Sequence, residues 1–454
     1  MYYFLASMAL ISAAFLTFVI LWYKKRNSIN QRLSVLLLLL LFGGSITLTY
    51  ILYPYCLTLQ HRVDDVKLPF VVDQKIVPDE YVDDFREICT IVQQHYSLAQ
   101  LKGIDLDCLN QTYLEKVSKA TRNKEYYQLV SKYFASLKNF HTTLLYNPYY
   151  ILARAQWRKG HLYVTGNVSN YPLQKGDRIL SINGMNVQVW QDSIIKYVPA
   201  STDRARQLST ANFVFHNPID SVQQLCVSRC DSVFHVTVYL SRNKEKAIKS
   251  GSKNHQKPKE IKQAKEQNKK IKMLQLMDFS DSSTSKFLTD YEKYKDCRCL
   301  IIDLSCNRGG FGRNAEKIAS LFLKQPYQGK RLIKPVSTPF QGNLYVLVTH
   351  ETCSAAEYLA SILQESGTAT LVGEETAGDF GTYCETFQTS HGTCFTLGIG
   401  IPPLTVNGNR TEGTGVKPHH SITIRMDEPI RETALREALF IQLKKEIDKK
   451  KQEI

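Results

Sequence analysis

Ser354 stands where an apolar run gives way to an amphipathic one, in LYVLVTHETCSAAEYLASILQESGTATLVGEETAG, residues 344–378. The pattern reads as a buried strand, a short turn, a helix opened by the serine, and a second strand. That layout sets a hydroxyl at a strand-to-helix corner, beside backbone amides that can stabilise an oxyanion. The chemistry on offer is nucleophilic attack on a carbonyl. Glu357, three residues on, gives the same corner a second reading: a capping box in which Ser354 and Glu357 satisfy helix N-terminal amides. The spacing leaves both open. One α/β unit earlier, Gly309 and Gly310 lie in the turn NRGGFG, where the lack of side chains lets amides approach a ligand closely. Cys353 reads as a small buried residue, with a competing nucleophile as its other reading, and His350 as structural.

The elements that must position this corner follow from periodicity. From Met273 the chain alternates strand-like KMLQLMDF, helical SKFLTDYEKY, the buried-type strand CLIIDL and the amphipathic RNAEKIASLFLK, which implies an α/β core. Upstream, ILARAQWRKGHLYVTGNVSNYPLQKGDRILSINGMNVQ alternates apolar and polar residues around a KGD turn and an Asn-Gly turn. GDRILSINGMNV resembles a strand pair of PDZ domains, which bind a peptide as an added strand; a β domain that merely packs is the other reading. From Asp79 to about Tyr146 three helical patterns follow one another, the third running to Asn139. His141 then begins the strand-like HTTLLY, and by spacing alone it is an ordinary histidine.

The length of 454 residues predicts several domains. The net charge of +15 is concentrated: between Arg242 and Lys272, twelve Lys and Arg face three Glu, nine of the fifteen net charges. The remainder is mildly basic, so no nucleic-acid partner is expected. The lysine-rich stretch reads as a solvated insert, with contact to anionic lipid as its functional alternative. Tyr2–Tyr23 and Leu33 to about Tyr55 are apolar runs long enough to span a bilayer, with no basic start or cleavage site of a signal peptide. The basic residues between them place that loop in the cytoplasm. The expectation is a multi-pass membrane protein with its catalytic part extracytoplasmic, periplasmic in a Gram-negative cell. Eleven cysteines fit an oxidising compartment without proving one. Of the close pairs Cys226/Cys230, Cys297/Cys299 and Cys384/Cys394, only the last sits where a hairpin would join its ends. No Cys/His cluster has zinc spacing, so neither a metal site nor a cofactor is expected.

LIIDLSCNRGGFGRNAEKIASLFL followed by the Ser354 segment resembles the core of the C-terminal-processing, or tail-specific, serine proteases, whose relatives include the tricorn protease core and the interphotoreceptor retinoid-binding protein repeats. The resemblance implies a crotonase-like α/β core and Ser354 as nucleophile, with the Ala355 amide and one from Gly309 and Gly310 as oxyanion donors. Where the tail-specific branch has a catalytic lysine, GEETAGDF places Asp379, so a Ser-Lys dyad is not implied. The chain is closer to the tricorn-like branch: LVSKYFASLKNFHTTL resembles a helix ending in Asp-Gly-His-Thr, and TEGTGVKPH a late Glu-x-x-Gly-Val-x-Pro-Asp stretch. These nominate His141 as base and Glu412 as a carboxylate that orients a ring or holds a water. Asn139, Phe140 and His419 depart from that pattern.

The expected organisation is a transmembrane hairpin (1–58), a helical N-terminal part of the protease (59–150), a PDZ-like β domain (151–241), the lysine-rich insert (242–272) and the α/β catalytic core with a C-terminal helix (273–454). The expected activity is serine-type hydrolysis of peptide bonds in protein or peptide substrates. The alternative is a catalytically silent protein that binds a peptide or another ligand in the same pocket.

Overall fold

Proline has no amide proton to leave unsatisfied at a helix start, and Pro78 opens α1 (Pro78–His95) with Asp79 and Glu80 at its positive end. The computed structural model describes residues 68–69, 71, 74–165, 168, 170–218, 220–243, 271–329, 331–380, 383–400, 412–422, 433–441 and 444–445, all within one unit, Val63–Ile454. Asp105 caps α2 (Leu106–Val117) by accepting from the Cys108 N–H at 3.0 Å. The third helix, α3 (Asn123–Ser136), stops short of Asn139 because Lys138 turns to a φ of 52°, the left-handed conformation that ends many helices. The residues released form the loop that carries His141, and β1 (Thr143–Leu145) follows.

The next stretch holds β2 (Ala155–Arg158), β3 (His161–Val164), β4 (Arg178–Ile182), α4 (Val187–Ile194), α5 (Asp203–Ser209), β5 (Val222–Arg229) and β6 (Ser232–Tyr239). The strands form an antiparallel sheet in the order β2-β3-β4-β5-β6. The Asn-Gly turn forms as the sequence predicts, with Asn183 at φ 49° and Gly184 at φ 79°. The KGD turn is held by Arg229, whose guanidinium donates to both oxygens of the buried Asp177 at 2.7 Å. Reading only alternation missed the two helices, which close the domain's core through Trp190 and Leu208.

The third part contains β7 (Ile271–Gln275), α6 (Asp281–Glu292), β8 (Cys299–Asp303), α7 (Gly312–Ser320), β9 (Asn343–Val348), α8 (Ala355–Glu365), β10 (Ala369–Gly373), β11 (Cys384–Gln388), β12 (Cys394–Gly398) and β13 (His420–Ser421). A parallel sheet runs β7-β8-β9-β10-β13. Its central strands are apolar on both sides because both faces are covered. Leu300, Ile302, Val346 and Val348 pack under α6, α7 and α8, whereas Ile301, Tyr345 and Leu347 meet Ala434 and Ala438. The β11–β12 hairpin leaves this core, and β1 pairs along β12 with Thr143 opposite Thr396. Phe387, Phe395 and Leu397 are thereby buried among the helices α1 to α3.

One expectation is corrected. Among the described residues no helix is long and apolar enough to cross a membrane. Even α1, at 18 residues, carries Asp79, Glu80, Asp83, Asp84, Arg86 and Glu87 and buries only one face. The multi-pass, extracytoplasmic placement is therefore not supported, and the two apolar runs behind it lie outside the described residues, as does 244–270 of the lysine-rich insert. No disulfide links the ten described cysteines. The hairpin register sets Cys384 opposite Gly398 and Cys394 opposite Gln388, at opposite ends of the ladder.

Candidate functional site

Ser354 ends the turn after β9 with a φ of 58° and a ψ of −127°. This is costly backbone for a residue with a Cβ, and several contacts impose it. The Ser354 N–H donates to the Asp379 carbonyl at 2.7 Å and to the Glu357 carboxylate at 3.2 Å. Glu357 also accepts from the Thr376 hydroxyl at 2.5 Å and the Gly378 N–H at 2.7 Å. The capping reading is thus realised through Glu357, while the Ser354 hydroxyl oxygen lies 3.1 Å from His141 Nε2, 213 residues away in sequence.

His141 arrives on a braced loop. The Thr142 hydroxyl donates to Asn139 Oδ1 at 3.0 Å and accepts from the Gly398 N–H at 3.0 Å, which ties the loop to β12. Asn139 is fully buried, and its Nδ2 donates to Glu412 Oε1 at 3.4 Å. Glu412 accepts as well from Lys102 Nζ at 2.6 Å and from the Phe380 N–H at 3.2 Å. It therefore reaches the histidine loop through Asn139 and the segment after Asp379 through Phe380. Lys102, in the turn after α1, escaped the sequence reading; no motif marks it, and only its burial beside a carboxylate reveals it.

Asp379, which stands where a catalytic lysine would, has a different position. Its Oδ1 accepts from the Ser201 N–H at 2.9 Å and the Phe140 N–H at 3.3 Å, while its carbonyl holds Ser354. One buried residue thus joins the β domain, the histidine loop and the serine corner. Burial, then the charge of Glu412, pushes the Asp379 carboxyl up to about 7, with Lys102 working the other way. Burial, then Asp379, pushes Glu357 up to about 8. These groups titrate as a cluster.

The Gly309–Gly310 turn lies against the serine. A Cβ built on Gly309, at φ +98°, would sit 2.6 Å from Ser354 Cβ and 3.0 Å from the Ala355 nitrogen. One built on Gly310, at φ +135°, would meet the Phe279 backbone at 2.9 Å. The Gly309 N–H is donated to the buried Asn307 Oδ1 at 2.8 Å, which leaves the Gly310 amide of that turn, with that of Ala355 at the helix start, for an oxyanion. Cys353 points away: its thiol donates to the Arg308 carbonyl at 3.3 Å, and burial pushes it well above the ordinary thiol range. His350 Nδ1 meets Glu374 at 2.9 Å, in keeping with a structural residue.

Three family models match the chain. That of "Peptidase family S41" covers residues 270–422, that of "Bacteroidetes, Peptidase, S41 family, N-terminal domain" covers 154–240, and that of the "Tricorn protease C1 domain" covers 77–135. Among solved structures, mature CPAF complexed with lactacystin superposes with a TM-score of 0.63 at 14% identity, over 82% of this chain and 98% of that one. Mature CPAF alone gives a TM-score of 0.65 at 13% identity, over 80% and 96%. Likeness at this level of identity speaks for the fold.

Proposed function

We propose that this chain, which belongs to peptidase family S41 and is a serine-type peptidase, cleaves protein substrates through an acyl-enzyme on Ser354 with His141 as base. The observation that carries the assignment is the 3.1 Å approach of His141 Nε2 to the Ser354 hydroxyl oxygen, within the reach a general base needs. Ser354 Oγ attacks the substrate carbonyl as its proton passes to Nε2. The tetrahedral oxyanion is held by the Gly310 and Ala355 amides, each contributing about 3 kcal/mol. The same proton goes to the leaving amine, and water then releases the acyl group by the reverse sequence. Glu412 and Asp379 position the loop, with no step in the proton transfer.

The PDZ-like domain fits a substrate-presenting role. Ala155 and Gln156 of β2 line the same small cleft as Cys353, Ala377 and Asp379, so a peptide laid along that side of the sheet arrives beside the serine corner.

A fluorophosphonate probe tests the nucleophile. Labelling is expected on the parent chain and on Cys353→Ala, and is lost in Ser354→Ala; labelling that survives the loss of Ser354 would place the nucleophile elsewhere. Gly309→Ala tests the corner. The added methyl meets Ser354, so kcat is expected to fall about 100-fold, the cost of a misplacement of about 1 Å. Gly103→Ala, at φ +64° with nothing within 4 Å, carries backbone strain without that collision and is expected to keep its turnover. Equal turnover in the two variants would show that Gly309 does not set the serine.

A further inference from the structure

α1 faces the turn between β11 and β12, where Ser390 donates to Glu87. Asp84 and Glu87 stand one helical turn apart on α1, and His391 sits at the tip of the hairpin. One donor atom from each lies within 4.8 Å of the others. Asp84 is 2% exposed. Its Oδ2 is satisfied by the Tyr126 hydroxyl and by the Thr393 hydroxyl at 2.6 Å. Its Oδ1, equally buried, has no hydrogen-bond partner and faces His391 Nδ1 at 4.0 Å. A buried carboxylate oxygen left this way is costly, and the direction in which it points already holds a second carboxylate and an imidazole.

We propose that Asp84, Glu87 and His391 form a binding site for a divalent first-row metal ion, with zinc the best fit. The set combines two oxygen donors with one imidazole, which zinc accepts and which is too nitrogen-rich for magnesium or calcium. Zinc needs donors at about 2.0–2.2 Å; the His391 side chain, 43% exposed, is free to swing inward to meet it. Ser390 supplies the outer contacts, its N–H donating to both Glu87 oxygens at 3.1 Å and its hydroxyl to Oε2 at 2.5 Å. Zinc spacing motifs are absent because two donors come from a helix turn and the third from a distant hairpin. The bound ion clasps α1 to the β11–β12 turn. Since β1 pairs along β12 directly after the His141 loop, the clasp steadies the ladder that carries the proposed base.

The test is calorimetric titration of zinc into the full chain after removal of metal with a chelator, followed by cobalt substitution. One equivalent is expected to bind, and zinc is expected to raise the thermal midpoint by mass action. His391→Ala, at a surface turn, is expected to fold as the parent does and lose both effects; Asp84→Asn is expected to lose the binding too. The cobalt adduct is expected to show d–d absorption without a thiolate charge-transfer band, which separates this site from the cysteines. Absence of binding, unchanged binding in His391→Ala, or a thiolate band would each overturn the proposal.

Discussion

Replacing His141 with alanine is expected to lower kcat by about six orders of magnitude, roughly as much as Ser354→Ala, with no further loss in the double variant. A serine hydroxyl is a weak nucleophile when no base takes its proton, so removing either partner disables the same step. The 3.1 Å contact predicts that interdependence. His141 contributes no large apolar surface to the core, so the single variant is expected to unfold within about 1 kcal/mol of the parent. Initial rates on an unfolded protein substrate, together with urea unfolding, decide the matter. Losses that multiply in the double variant would mean that the two side chains act in separate steps.

Lys102→Met is expected to cost about 3–5 kcal/mol of stability, because it removes the cation of a buried ion pair and leaves the other partner in the interior. The two side chains are only 9% and 1% exposed, so water cannot substitute for the lost partner. Adding Glu412→Gln to Lys102→Met is expected to recover most of the loss, as removing both charges of a buried pair often does. The cost also depends on pH. Asp379 has its carboxyl raised from 3.8 to about 7, so it favours the folded state below its ordinary value and loses that contribution as pH rises through 7. Lys102 opposes that rise, and without it the carboxylates repel one another more strongly. The destabilisation is therefore expected to be larger at pH 8 than at pH 5, as read by urea midpoints. A flat difference across that range would place the carboxylates in separate environments.

The parts legible in the sequence are those whose signals are local. CLIIDL and LYVLV announce a doubly covered parallel sheet because both of their faces are apolar, and the serine corner follows from the strand-to-helix switch at Ser354. The Asn183–Gly184 turn shows itself because its backbone needs positive φ. His141 drew attention through a family resemblance alone, since its pairing with Ser354 depends on β1 docking against β12. Lys102 and Asp379 were missed as positioning residues for the same reason: each acts through partners brought from distant segments. The apolar start of the chain drew a membrane reading that rests on residues outside those described, and the charged, one-sided burial of α1 gives it no support.

The pairing of β1 with β12 also bears on when the peptidase can act during its own synthesis. The helices α1 to α3 leave the ribosome early but share their core with Phe387, Phe395 and Leu397, and the strand that fixes the His141 loop is made late. A nascent chain that has emerged only as far as Ser354 holds its proposed nucleophile and proposed base on segments with no ladder between them. The order of synthesis therefore leaves the proposed site unassembled until the β11–β12 hairpin has been made.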